Sequence, residues 1–191
     1  MSNSKPVADT FASKEHLAAQ FGRRQKDSLG WRTKFGVLGP STNTSVQPDF
    51  EDLRVPGVTN HYSRIIVSDA QAVSNETFMA GAWEISDNTI EAVKGVLTCK
   101  PNYLVMGMSA VTFFGGAEGA QKWRQNVEEV SGLGVSTGSE AVAAALAAYG
   151  NIKKVAFFSP YYPTANAEVA NFLSDYGYET KSDIALQCPS W

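Results

Sequence analysis

Short apolar runs alternate along the chain with longer segments in which apolar residues recur at helical spacing. The apolar runs predict β-strands at 34–39, 61–67, 102–108 and 153–159. The longer segments, bounded by Gly or Pro, predict helices at 74–97, 119–132, 138–150 and 164–177. Strands that alternate with helices of crossover length indicate βαβ units, so we expect an α/β protein built on mostly parallel sheets.

Two stretches repeat the same order of residue types and suggest an internal duplication. Each runs from Lys through an apolar strand to Pro and then into polar residues that open a helix: KFGVLGPSTNT and KKVAFFSPYYPTAN. A further strand is predicted in the final segment, YETKSDIALQCPSW, with Cys188 inside it. The second half then lacks a helix and one or two strands, so we expect it to be incomplete.

Composition and charge narrow the classes of partner. The chain has 191 residues, of which 43% are hydrophobic and 18% charged, and a formal net charge of -3. We therefore expect no nucleic-acid partner and no membrane contact. The chain has no apolar run of about 18 residues and no apolar signal core at its N-terminus, and two cysteines suit a reducing compartment, so we expect a cytoplasmic protein. His16 and His61 are isolated, and no cluster has metal-ligand spacing, so we expect no metal site.

Neutral polar side chains follow three of the predicted strands. They are Ser41, Thr42, Asn43 and Thr44 after the first strand, Ser109 after the third, and Ser159 and Tyr161 after the fourth. Ligands of open parallel sheets bind at the carboxyl ends of the strands. Hydroxyls, an amide and backbone N–H groups at helix N-termini bind a carboxylate without a cation, and they also stabilise an oxyanion that develops during a reaction. The sequence therefore predicts a site for a small carboxylate.

Structural roles remain open for the same residues. Ser41 or Thr42 is equally suited to cap a helix, Ser109 could cap the helix that follows it, and Tyr161 could be a half-buried core phenol. The glycines of GGAEG, at 115–119, make a weak phosphate-loop candidate, because the segment lacks the Lys and the Ser or Thr of a Walker motif.

Charged residues near the first strand add few further candidates for the predicted carboxylate site. The acidic group at 49–52 is interpreted as a helix N-terminal charge or a solvated loop. His61 and Arg64 could reach the mouth of the predicted site, although a surface position at a strand edge is equally open. Cys99 lies in a turn beside Lys100 and is interpreted as structural.

Four segments together resemble the aspartate/glutamate racemase superfamily, and most closely its branch of maleate cis-trans isomerase and arylmalonate decarboxylase. They are GVLGPSTNTSVQPDF, NHYSRIIV, NYLVMGMSAVTFFGG and GVSTGSEAVAAALAAYGNIKKVAFFSPYYPTANAEVANFL. The resemblance covers about residues 33–186. It implies two flavodoxin-like lobes with parallel sheets: a first lobe at 33–135 and an incomplete second lobe at 136–191, preceded by an N-terminal extension at 1–32.

The resemblance also implies a cofactor-independent enzyme with its site between the lobes. In the family, strand-end hydroxyls and N–H groups hold the substrate carboxylate, often in an enediolate state. Asn43 matches the amide that follows strand one in the isomerases, and Tyr161 matches a tyrosine that contacts the carboxylate. The full implied substrate-binding set is Pro40, Ser41, Asn43, Gly107, Met108, Ser109 and Tyr161.

The chain departs from the family at the thiols that move protons or attack a double bond. Gly107 occupies the first cysteine position, as in the decarboxylase branch, and Met108 replaces a hydroxyl residue often found beside it. The second cysteine position falls beyond Trp191, so no residue matches a catalytic thiol. We expect decarboxylation or isomerisation of a small carboxylate or dicarboxylate; the alternative is a non-catalytic carboxylate-binding module or an inactive fragment. A homo-oligomer is also expected.

Overall fold

Residues 27–68 and 72–189 are described by the computed structural model, and they form alternating strands and helices. Of the predicted N-terminal extension, residues 1–26 lie outside this description. In chain order the elements are β1 (Thr33–Pro40), α1 (Val46–Asp52), β2 (Val58–Ile65), α2 (Asn75–Leu97), β3 (Tyr103–Met106), a 3₁₀ turn (Ala110–Phe113), α3 (Gly116–Ser131), β4 (Val135–Ser136), α4 (Gly138–Tyr149), β5 (Lys154–Ser159), α5 (Pro163–Asp175) and β6 (Glu179–Ala185).

The first sheet has four parallel strands in the order β2-β1-β3-β4. β1 lies between two neighbours, with Phe35 opposite Asn60 of β2 and opposite Tyr103 of β3. Its residues from Gly36 to Pro40 are all buried, as expected for an inner strand of a parallel sheet with both faces covered. The prediction of an α/β fold with parallel sheets is confirmed.

The second sheet pairs β5 with β6, also in parallel. Val155 and Phe157 of β5 face a core formed with α4 and α5. The alternate residues face outward, and Phe158 lies opposite Ile184 of β6 with both side chains exposed. Since side chains alternate across a strand, one face of this sheet is covered and the other is open in the described part of the chain.

Two larger apolar clusters stabilise these layers. The first packs α2 and α3 on the first sheet, with Leu38, Ile85 and Leu104 fully buried. The second joins the 3₁₀ turn, α3 and α4 to α5, and Phe172 is its fully buried centre. Burying a side chain of this size contributes about 1.5–3 kcal/mol, and this cluster connects the elements of the first sheet to those of the second.

The N-terminus of α3 is capped by carboxylates from α5. The backbone N–H of Gly115 donates to Glu168 Oε2 at 2.9 Å, and that of Ala117 donates to Asp175 Oδ2 at 2.8 Å. The glycines of GGAEG have a structural reason: Gly115 adopts a left-handed φ of 75°, and a Cβ on Gly119 would lie 2.0 Å from the Phe114 carbonyl oxygen. Because the chain's own anions already occupy this helix end, the arrangement does not support a phosphate loop.

Several predicted boundaries are shifted. The second strand was predicted at 61–67 but spans Val58–Ile65, because it begins directly after the left-handed turn at Gly57 and pairs in register with β1 from Thr33 onward. The prediction that Cys188 falls within the last strand is wrong: β6 ends at Ala185.

Within the described ranges, no helix is long and apolar enough to cross a membrane.

Candidate functional site

A cavity of about 250 Å³ opens where the carboxyl ends of β1, β3 and β5 meet. It is lined by Pro40, Asn43, Ala72, Phe78, Gly107, Met108, Ser109, Pro160, Tyr161 and Cys188. None of these residues is an Asp, Glu, Lys, Arg or His. The wall therefore combines apolar surface with neutral hydrogen-bonding groups, and it is formed by both sheets.

Asn43 stands at the end of β1 and is fixed by a tight turn. Its backbone N–H donates to the Pro40 carbonyl at 3.0 Å. Its side-chain Oδ1 accepts the N–H groups of Ser45 and Val46, at 3.0 and 2.9 Å, at the start of α1. Because Oδ1 is occupied in this way, the Nδ2 amide hydrogens are the part of Asn43 that is left to donate to a ligand.

Ser109 follows β3 and begins the 3₁₀ turn without capping it through its side chain. Its carbonyl accepts both the N–H and the Oγ1 hydrogen of Thr112, at 2.9 and 2.7 Å. The backbone N–H groups of Met108 and Ser109 have no hydrogen-bond acceptor within the described residues. The two cavity-lining residues of this strand end therefore carry a hydroxyl and two backbone N–H groups that are not used within the described fold.

Tyr161 reaches the same cavity from the end of β5, and its phenol is hydrogen-bonded to the Ser109 hydroxyl. Its ring lies 5.7 Å from that of Phe78, centroid to centroid. Burial raises the pKa of the Tyr161 phenol, while the hydrogen bond to Ser109 acts in the opposite direction. Each hydroxyl carries one hydrogen, so one of the pair donates to the other and one hydrogen remains for a ligand.

A buried polar network holds the Tyr161 backbone. The N–H of Tyr161 donates to Ser159 Oγ at 3.0 Å, and Ser159 Oγ donates to Asn166 Oδ1 at 2.5 Å. Asn166, which is almost completely buried, donates in turn to Asp183 Oδ2 of β6 at 2.7 Å. Since satisfied buried networks fix a single geometry, these contacts define where the phenol can lie.

Cys188 lines the cavity from the segment that leaves β6. Its backbone N–H donates to the Pro160 carbonyl at 3.0 Å, and the N–H of Gln187 donates to the Tyr161 carbonyl at 3.1 Å. The segment after β6 is thereby held against the loop that carries Tyr161. Sequence reasoning missed this residue because it extended the last strand too far.

All of the predicted site residues except Ser41 line the cavity. Ser41 instead supports the nearby backbone, since its Oγ accepts the N–H of Val67 at 3.1 Å. Arg64 donates to the carbonyls of Ser41 and Asn43, at 3.0 and 3.2 Å, and so stabilises the loop behind Asn43. His61 contacts Thr59 on β2 and does not line the cavity. A role in binding for the predicted residues stays a prediction.

Ala72 and Phe78 belong to the cavity wall but carried no signal in the sequence. Both lie around the start of α2, which is fixed by a capping box between Ser74 and Thr77. The Tyr162 phenol donates to the Ala72 carbonyl at 2.5 Å. This part of the wall therefore depends on a contact between two residues that are 90 positions apart in the sequence. Within the described residues, no group of three or more His, Cys, Asp or Glu side chains could hold a metal ion.

The sequence profile of the arylmalonate decarboxylase family matches residues 69–190, which is more than half of the chain. The chain belongs to the arylmalonate decarboxylase family. No curated protein sequence matches this family member.

Solved structures of related enzymes share the fold of this arylmalonate decarboxylase family member. Nocardia farcinica maleate cis-trans isomerase bound to TRIS matches with a TM-score of 0.70 and 19% identity over 83% of this chain and 65% of that one. A maleate isomerase variant from Pseudomonas putida S16, solved with maleate, matches with a TM-score of 0.67 and 17% identity over 81% and 63%. An arylmalonate decarboxylase matches with a TM-score of 0.61 and 18% identity over 80% and 62%. The chain thus spans less than two thirds of the length of these relatives.

Proposed function

We propose that the cavity binds a small carboxylate or dicarboxylate through Asn43, Ser109 and Tyr161, and that these donors serve an enediolate-forming decarboxylation or isomerisation. The observation that carries the proposal is the meeting of three neutral donor groups from two sheets in one cavity without a charged side chain. The maleate held by the Pseudomonas putida S16 variant supports a dicarboxylate as the class of ligand.

Neutral donors suit a reaction in which charge moves onto the carboxylate oxygens. Loss of carbon dioxide from a malonate leaves the electron pair of the broken C–C bond on the remaining carboxylate, which becomes an enediolate with negative charge on both oxygens. Preorganised N–H and O–H donors stabilise that charge as it develops. A Lys or Arg would also bind the ground-state carboxylate strongly, and such uniform binding does not raise the rate of the chemical step.

Membership of the arylmalonate decarboxylase family supports an enzyme, and the alternative is a non-catalytic carboxylate-binding module that uses the same cavity. The enzyme and the binding module would share the same binding site, but only the enzyme would convert the bound carboxylate into a product. Release of carbon dioxide from malonates, or conversion of maleate, would separate them. We expect carboxylate binding in either case.

Calorimetric titration with maleate, malonate and phenylmalonate tests the binding proposal. Ser109→Ala should weaken binding by about 1–3 kcal/mol, because a charged acceptor loses a hydrogen bond. Ser174→Ala is the matched control, since Ser174 is an exposed residue of α5 and does not line the cavity. Equal affinities for the wild type and the Ser109→Ala variant, or no binding of any of the three, would overturn the proposal.

A further inference from the structure

Cys188 is one of the residues that line the same cavity as the proposed carboxylate donors. It is not on a loose segment, because the backbone hydrogen bonds of Gln187 and Cys188 fix it beside Tyr161 and Pro160. The residue is half-buried, and its sulfur makes no hydrogen bond with the described part of the chain. A thiol without a partner in a ligand-sized cavity is available to a bound molecule.

Cys99 provides an internal comparison. It precedes β3 and therefore lies at the amino end of that strand, whereas the cavity is at the carboxyl ends. Its thiol donates to the Val96 carbonyl at 3.0 Å, and burial raises its pKa. The protein therefore carries one thiol in the cavity and one remote thiol that is also half-buried.

We infer that the cavity directs small carboxylates bearing a leaving group on the α-carbon onto Cys188, which makes this residue a ligand-directed alkylation site. The inference rests on the proposed function, because Asn43, Ser109 and Tyr161 must hold the carboxylate of the reagent. The Cys188 thiol first releases its proton to solvent. The thiolate sulfur then forms a bond to the α-carbon with its electron pair, and the bond from that carbon to the leaving group breaks, releasing the halide ion.

Iodoacetate and iodoacetamide provide the test, since they differ in the carboxylate and transfer an otherwise similar group. Each reagent is applied to the full chain, and alkylation of Cys188 and Cys99 is followed in the same sample by peptide mass spectrometry. The ratio of iodoacetate rate to iodoacetamide rate at Cys188 should exceed the same ratio at Cys99 by about tenfold or more, the effect of a charge-assisted hydrogen bond. Malonate should slow the iodoacetate reaction at Cys188 and leave Cys99 unaffected.

Ser109→Ala and Tyr161→Phe should each reduce the Cys188 ratio toward that of Cys99, with iodoacetamide rates little changed. Two variants are used so that misfolding of one, detected by circular dichroism, does not remove the test. Cys188→Ser should still bind malonate by calorimetry, because the carboxylate donors are intact.

The outcomes separate this inference from the proposed function. Equal ratios at the two cysteines, with malonate binding measured by calorimetry, would overturn the Cys188 inference and leave the carboxylate site standing. Equal ratios together with an absence of malonate binding would overturn both. A high Cys188 ratio that neither malonate nor the two variants reduce would also overturn the inference, because the carboxylate donors would then play no part.

Discussion

Ser109 and Tyr161 connect the two sheets through a hydrogen bond between their side-chain oxygens, although 52 residues separate them in the chain. One residue follows a strand of the first sheet and the other a strand of the second. The bond therefore closes the cavity wall at the point where the two sheets meet. It couples the geometry of the proposed carboxylate site to the packing of the two halves.

A double-mutant cycle of Ser109→Ala and Tyr161→Phe should reveal that coupling. Each single variant is expected to lower the free energy of unfolding by about 0.5–1.5 kcal/mol, because a partly buried hydrogen bond is lost. The double variant should lose less free energy of unfolding than the two single variants added together, since either substitution alone already breaks the hydrogen bond. Urea denaturation measures all four proteins. Strict additivity would show that the hydrogen bond does not stabilise the fold.

The raised pKa of Tyr161 predicts a loss of stability in alkali. Burial keeps the phenol protonated in the folded state above the unfolded value of about 10. The folded protein then binds more protons than the unfolded chain, so this contribution is complete below a pH of about 10 and is lost as the pH rises through the folded pKa. The free energy of unfolding should therefore fall less steeply in Tyr161→Phe than in the wild type.

Burial also raises the pKa of Tyr62 and of Tyr176, so part of the alkaline decline should remain in the Tyr161→Phe variant. Carboxylate binding offers a more local measurement. The affinity for malonate should fall in the same alkaline range, because a phenolate cannot donate and repels the ligand. An affinity that stays constant through that range would contradict contact between Tyr161 and the carboxylate.

The capping of α3 by Asp175 should make a measurable contribution to stability. Asp175→Ala removes the acceptor for the Ala117 N–H and should cost about 0.5–2 kcal/mol. Asp175→Asn retains an oxygen acceptor and should cost less, the difference being the interaction of the charge with the helix dipole. Glu129→Ala, at an exposed position of the same helix, is the control. If Glu129→Ala costs as much as Asp175→Ala in thermal unfolding, the capping role is wrong.

The close packing around Gly107 predicts a cost for placing a side chain at this position. A Cβ there would lie 2.6 Å from Val46 Cγ1 and 3.0 Å from the Leu38 carbonyl oxygen. Gly107→Ala and Gly107→Cys should therefore each destabilise the fold by about 1–3 kcal/mol. Val46→Ala should recover part of the loss in the double variant. Full stability of Gly107→Cys in urea denaturation would mean that Val46 moves without cost.

The open face of the second sheet predicts self-association. Phe158 and Ile184 are register neighbours and expose 74% and 60% of their surfaces. Exposed apolar sheet faces with a free strand edge promote pairing with another chain, so we expect a homo-oligomer by light scattering. Phe158→Lys should shift the protein toward monomer, whereas Tyr149→Lys, at a residue that is 81% exposed on α4, should not. A wild type that is monomeric at high concentration would refute the expectation.

Much of the fold could be predicted from local patterns, because periodicity and Gly or Pro boundaries locate the long helices directly. Helix α2 begins within one residue of its predicted start, where Ser74 and Thr77 form the capping box. β2 was displaced because its first residues, Val58 to Asn60, carry no apolar run, and pairing with β1 extends the strand over them. Tertiary pairing overrides local propensity in this way wherever strands are short.

Ligands of parallel sheets bind at the carboxyl ends of the strands, so the residues of the candidate site could be predicted wherever the end of a strand was predicted correctly. Asn43, Ser109 and Tyr161 were found in this way. Cys188 would have been found by the same rule if β6 had been ended at Ala185. Phe78 could not be found, because its place in the wall depends on how α2 packs against the loop carrying Tyr161, and no local pattern encodes that contact.

The uneven covering of the two sheets has a consequence for ligand binding. Local opening costs least free energy where few apolar contacts are broken, so amide hydrogens of β5 and β6 should exchange faster than those of β1 and β3. Opening of the second sheet would displace Tyr161, one of the proposed carboxylate donors, so we expect the closed sheet to be the form that binds the ligand. Malonate should therefore slow exchange in β5 and β6 by a factor that grows with its concentration, while β1 continues to exchange at its original rate.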